Sequence, residues 1–99
     1  MAVLAQLEPK KVFHYFEEIC GIPHGSSDTR AISDYLVAFA KERKLYVRQD
    51  TLGNIIIKKP ASCGYEDAPI VMLQGHMDMV CEKTDDKEID FHTQGLDLV

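Results

Sequence analysis

The feature that most constrains this chain is Ile70-Val71-Met72-Leu73, an unbroken apolar run set between Pro69 and Gln74-Gly75. A strand with one solvated face alternates apolar and polar residues. An uninterrupted run bounded by Pro and Gly fits instead a strand covered on both faces, as in the middle of an α/β sheet. Such a strand needs neighbours beside it and cover above and below, so a layered α/β architecture is expected. The residues that follow, Gln74-Gly75-His76-Met77-Asp78, bring polar, metal-competent side chains to the strand's end, the edge at which α/β folds bind ligands.

The segments before this run supply what a layered fold requires. From Glu8, Val12, Phe13, Phe16, Ile19 and Cys20 recur at helical spacing and make one apolar stripe; Pro9 suits the first turn, and Gly21 with Pro23 ends the helix. The polar turn His24-Gly25-Ser26-Ser27-Asp28 follows, in which Ser26 or Ser27 is expected to cap a second helix with Asp28 near its positive end. Ile32, Leu36, Phe39 and Ala40 form that helix's apolar face, and Lys41, Arg43 and Lys44 crowd its last turn. Tyr46-Val47-Arg48-Gln49 and Asn54-Ile55-Ile56-Ile57-Lys58 then read as a hairpin joined by Asp50-Thr51-Leu52-Gly53, and residues 59–69 as a surface loop. Beyond the motif, Glu82 to Asp90 is charge-dense and reads as a solvated loop. Gly95-Leu96-Asp97-Leu98-Val99 alternates like the opening of a further strand, so the 99 residues are expected to be a portion of a longer domain.

Charge and composition narrow the function. Eleven Lys and Arg stand against 16 Asp and Glu, a net charge of −5, which argues against nucleic acid because phosphate binding draws on clustered cations. No apolar run approaches the roughly 20 residues needed to cross a bilayer. Met1-Ala2-Val3-Leu4-Ala5-Gln6-Leu7 lacks a basic leader, and a cytoplasmic location is expected. Cys20, Cys63 and Cys81 are odd in number and form no CxxC pair, so free thiols in a reducing compartment are expected.

The chemistry concentrates at one place. His76 and Asp78 are two apart, so in extended geometry both side chains emerge on one face. That suits a His metal ligand whose other ring N–H is held by a carboxylate, with Gly75 allowing close backbone approach. One His cannot hold a zinc ion. Glu82, Asp85, Asp86, Glu88 and Asp90 read as solvated loop carboxylates, His14 as a surface or half-buried helix residue, and Cys81 as packing. His24 and His92, each in a loop, stand open as substrate contacts, and Asn54 is expected to serve the hairpin turn.

Taken together, Val71-Met72-Leu73-Gln74-Gly75-His76-Met77-Asp78-Met79-Val80 resembles the apolar-strand, Gly-His-x-Asp-x-Val signature of the co-catalytic zinc peptidases. That family includes aminoacylases, tripeptidases, carnosine dipeptidases and bacterial aminoacyl-histidine dipeptidase, also called peptidase D. The likeness extends to Glu18-Ile19-Cys20-Gly21-Ile22-Pro23-His24-Gly25-Ser26, to Asp50-Thr51-Leu52-Gly53-Asn54-Ile55-Ile56-Ile57, and to Asp78 through Phe91, where it is nearest the aminoacyl-histidine dipeptidase branch. The resemblance implies that residues 1–99 are the N-terminal portion of a zinc peptidase catalytic domain, with two helices packed on a mixed sheet whose central buried strand ends in the metal-site motif. His76 would be a ligand to one zinc ion, and Asp78 the catalytic-site carboxylate that clamps and orients its imidazole while raising its basicity. Two zinc ions sharing a bridging aspartate, and a glutamate general base, would complete the site from sequence beyond Val99.

The implied activity is hydrolysis of dipeptides, of the Xaa-His type in that branch, by zinc-activated water. The implied partner is a small peptide, with a homodimer as the implied assembly. A tripeptidase, an N-acyl amino-acid hydrolase, and a non-catalytic assembly domain pairing through a sheet edge remain the alternatives.

Overall fold

A computed structural model describes residues 3–96 and 98. The chain order is α1 (Lys10–Cys20), α2 (Arg30–Glu42), β1 (Tyr46–Gln49) and β2 (Ile55–Lys58). The chain divides into two compact units, one of Met1–Ile32 with Asp78–Val99, the other of Ser33–Met77.

In the first unit, α1 starts where the sequence places it. Pro9 is the residue before its first turn, in extended conformation, and its carbonyl accepts the Phe13 N–H at 3.2 Å. The helix stops at Gly21, whose N–H still reaches the Glu17 and Glu18 carbonyls, after which the chain turns toward Pro23. Glu17 looks back across the segment ahead of the helix, its carboxylate accepting the backbone N–H groups of Val3 at 2.7 Å and Leu4 at 2.9 Å. The Leu4 and Val3 N–H donors hold its pKa below the usual carboxylate value. Only Cys20 of the α1 stripe is fully buried, while Val12 and Phe16 are exposed. Burial raises the Cys20 thiol pKa, with the Glu17 charge adding to it, so this thiol is poorly reactive. All three cysteines are free thiols.

The turn after α1 departs from expectation. Neither Ser26 nor Ser27 caps the second helix: Asp28 N–H closes a turn on Gly25, Ser27 takes a left-handed φ of 67°, and α2 begins only at Arg30. The Ser26 hydroxyl is engaged elsewhere, as is the Asp28 carboxylate, so the polar residues that resemble a cap serve long-range contacts instead.

The second unit is held by a polar bolt beneath an apolar face. Along α2, Ile32 and Ala40 are buried, and so is Ser33, with no exposed surface. The Ser33 hydroxyl donates to the Gly53 carbonyl at 2.7 Å and accepts from Gln49 Nε2 at 2.7 Å, while the same Gln49 amide lies 3.1 Å from Asp34 Oδ1. Helix and hairpin are thereby joined through side chains whose polar atoms are paired, the condition for placing a hydroxyl in a core. The helix ends with Leu45 N–H on the Ala40 carbonyl and Lys44 N–H on Lys41, with Lys44 at φ 57°, a position usually given to Gly. Arg43 folds back over the Phe39 ring, 3.5 Å from its centroid.

β1 and β2 pair antiparallel, with Tyr46 opposite Lys58 and Gln49 opposite Ile55. Asp50 organises the connection. Its carboxylate accepts the N–H groups of Leu52 (2.9 Å) and Asn54 (2.8 Å) and the Asn54 side-chain amide (3.0 Å), and Gly53 supplies the required positive φ of 91°. Those donors, the Asn54 side chain foremost, lower the Asp50 pKa. Asn54 serves the turn as expected.

The element that differs from expectation is the central strand. Ile70, Val71, Met72 and Leu73 lie in no strand and are 95%, 83%, 84% and 94% exposed. The sheet is a two-stranded antiparallel hairpin rather than a mixed sheet around a buried strand. The physical reason is the absence, among the described residues, of any segment paired with residues 70–73, and an apolar run cannot form a ladder alone. Residues 59–69 are exposed turns, as expected of a surface loop. Residues 82–90 form no regular element and are exposed except for Ile89. In the expected terminal strand, Asp97 and Val99 lie outside the described residues; Leu96 donates its N–H to the Cys20 carbonyl at 2.7 Å.

Candidate functional site

Of the motif, His76 belongs to the second unit and Asp78 to the first. His76 is exposed, and Asp78 and Met79 are half-buried. What fixes Asp78 is the turn after α1. Met79 N–H donates to the His24 carbonyl at 2.9 Å and Ser26 N–H donates to the Met79 carbonyl at 3.1 Å, a parallel bridge centred on Gly25 and Met79. Beside it, the Ser26 hydroxyl donates to Asp78 Oδ2 at 2.7 Å.

The close approach on this bridge is not at the glycine the sequence indicated. A Cβ at Gly25 would collide with the Cys81 sulfur, whereas a Cβ at Gly75 would meet nothing within 4 Å. The close approach is made by the turn, and Gly75 stands in open space.

His24 is buried, and its Nδ1 lies 2.6 Å from the Ile22 carbonyl. A carbonyl only accepts, so Nδ1 carries a proton in this contact. His92 is exposed and pairs through Nδ1 with the Asp28 carboxylate at 2.9 Å. Asp90, on the same loop, accepts the His92 backbone N–H at 2.9 Å, the first cause of its lowered pKa. The lowered Asp86 pKa has a local origin in the Thr84 side chain. His14 is a surface residue that pairs with Glu18 one helical turn on, at 3.1 Å.

Among the described residues, no three His, Cys, Asp or Glu side chains converge as a metal-binding group. Glu82, Asp85, Asp86 and Glu88 sit in the exposed loop and join no such group. The donor set that remains is one imidazole with a carboxylate two residues on, a chemistry that fits one ligand of a zinc ion and its orienting partner but not a complete coordination sphere. Ser26 is the residue that sequence reasoning misassigned, since its place before an apolar helix looked like a cap. Ser33 and Gln49 were passed over because a lone Ser on an apolar face carries no periodic signal.

Comparison with known proteins finds dipeptidases that are similar over nearly the whole chain. No protein-family profile matches the sequence. The Escherichia coli (strain K12) cytosol non-specific dipeptidase is 43% identical over 91 residues, which is 92% of this chain and 19% of that protein. The crystal structure of aminoacylhistidine dipeptidase from Vibrio alginolyticus superposes with a TM-score of 0.88 at 40% identity, over 93% of this chain and 19% of that one. The chain is a homologue of dipeptidases. It spans about a fifth of the length of the relatives it matches. Identity at this level over more than nine-tenths of the chain makes the shared backbone a shared ancestry, not a convergent layout of helices and hairpin. Among the described residues, no helix is long and apolar enough to cross a membrane.

Proposed function

We propose that this chain is the N-terminal portion of the catalytic domain of a zinc-dependent dipeptidase, located in the cytoplasm, whose substrates are small peptides. The observation that carries the reading is the 40% identity and 0.88 TM-score with an aminoacylhistidine dipeptidase over nearly the whole chain. His76 is proposed as a ligand to one of two zinc ions. Asp78 is proposed as the carboxylate that accepts the other ring N–H, fixing the tautomer and raising the ligand's basicity. When bound, zinc supplies Lewis acidity that polarises the peptide carbonyl and makes water nucleophilic near neutral pH. This chain's own part is to hold the imidazole and carboxylate in place. The remaining ligands, the bridging aspartate and the general-base glutamate are assigned to sequence after Val99.

The two relatives differ in their names on specificity, one non-specific and the other directed at aminoacyl-histidine. A panel of Xaa-His dipeptides, other dipeptides, tripeptides and N-acyl amino acids presented to the full-length enzyme decides between them. Preference for Xaa-His is the expected result, and preference for tripeptides or acylated substrates sinks the dipeptidase assignment. His76→Ala is expected to reduce turnover to background, and the isolated 99-residue chain is expected to show no chelator-sensitive turnover, because one imidazole cannot assemble a two-metal site. A homodimer is the proposed assembly, and light scattering on the full-length enzyme reads it directly.

A further inference from the structure

We infer that Ser26 is a positioning residue for the reaction, locking the Asp78 carboxylate through a hydrogen bond made across 52 residues of sequence. The inference rests on the proposed role of Asp78 above and goes beyond it by naming the residue that holds Asp78.

Ser26 grips the motif twice. Its backbone N–H takes the Met79 carbonyl at 3.1 Å, and its hydroxyl takes Asp78 Oδ2 at 2.7 Å. A second acceptor, the Met79 carbonyl, lies 3.4 Å from the same hydroxyl. A serine hydroxyl has one proton to give, and the shorter, charge-assisted contact with the carboxylate takes it. The backbone ladder therefore does not depend on the hydroxyl. The bond from the Met79 N–H to the His24 carbonyl, at 2.9 Å, is made by backbone atoms alone. What the hydroxyl adds is specific to the Asp78 side chain.

The turn is built to hold the hydroxyl there. A Cβ at Gly25 would press on the Cys81 sulfur, the Asp28 N–H closes the turn on Gly25, and Ser27 adopts a left-handed φ of 67°. A carboxylate already tied at one oxygen loses less rotational freedom when it orients an imidazole, which is how partners beyond a metal's ligands tighten its binding.

The test uses the full-length enzyme, with zinc affinity measured by competition against a chelating dye and kcat and KM measured on a dipeptide. Removal of a ligand's direct partner typically costs 10- to 100-fold, so Ser26→Ala, one step further out, is expected to weaken zinc binding by roughly 3- to 10-fold. It should lower kcat with KM near the wild-type value, and Ser26→Thr, which keeps the hydroxyl, should restore both. In an Asp78→Asn background, Ser26→Ala should add less than about twofold, because two residues acting as one unit are non-additive.

Wild-type zinc affinity and kcat in Ser26→Ala, or an undiminished effect of that change in the Asp78→Asn background, overturns the inference while leaving the dipeptidase reading intact. If His76→Ala and Asp78→Asn both bind zinc as the wild type does, the reading of the site itself falls. Should Ser26→Ala not fold, Ser26→Cys, near serine in size and a weak donor, takes its place with the same outcomes.

Discussion

The hairpin and the segment at residues 70–73 are both rich in branched apolar residues, yet one is folded and the other is not. Ile55-Ile56-Ile57 in β2 faces Gln49, Arg48 and Val47 across a turn that needs only Asp50, Asn54 and Gly53 to close. Ile70-Val71-Met72-Leu73 has the stronger hydrophobic signal and no partner among the described residues. A strand is stabilised by the chain beside it, and the hairpin brings that chain along within a few residues. The apolar run has no such neighbour among the described residues. The proposed metal-site motif stands at its end, and a site at a strand's edge relies on the elements that cover the strand.

The largest effect that would break this contrast comes from Leu73→Ala. In the 99-residue chain, where Leu73 is 94% exposed, unfolding in urea should shift by no more than about 0.5 kcal/mol. In the longer protein proposed above, the same change should cost about 2–5 kcal/mol if the run becomes a covered strand. Equal costs in both would mean that residues 70–73 never enter a sheet.

A smaller effect sharpens the other side of the comparison. Ser33→Ala removes a buried hydroxyl that serves both the Gly53 carbonyl and the Gln49 amide; Gln49 keeps Asp34, but the Gly53 carbonyl loses this donor, and the second unit should be destabilised by about 1–3 kcal/mol, read from urea unfolding. An unchanged midpoint would show that the Ser33 hydroxyl does not hold helix and hairpin together.

The smallest effect is a pH dependence. The folded-state pKa of Asp50 is depressed, so the turn's contribution is present above the ordinary carboxylate pKa and is lost as pH falls through the lower, folded value. Stability should decline on that acid limb, and Asp50→Asn should flatten it; a limb of unchanged slope in the variant would assign the acid sensitivity to Glu17, Asp86 or Asp90, whose pKa values are lowered as well.

The parts legible in the sequence are those with local causes. The α1 stripe, its stop at Gly21, the apolar face of α2 and the Asp50-to-Asn54 turn each follow from residues within about one turn of one another. His76 and Asp78 stood out as candidates through the resemblance of the whole stretch from Val71 to Val80 to a family signature, since a His and an Asp two apart are a weak signal alone. The roles of Ser26, Gly25 and Asp28 were not legible. Each looks like local turn chemistry, and each is committed to residues more than 50 positions away: Ser26 to Asp78, Gly25 to Met79 and Asp28 to His92.

The sequence by itself determined two helices, a hairpin, an apolar run and a His-x-Asp motif, because propensity, periodicity and turn residues act over a few positions. Only the tertiary structure decided that the turn after α1, and not Gly75, makes the close backbone approach, and that a serine placed like a helix cap holds the Asp78 carboxylate instead. The physical reason is that a hydroxyl or a glycine offers the same short-range chemistry to any neighbour, and which neighbour arrives is set by long-range backbone pairing that leaves no periodic mark in the sequence.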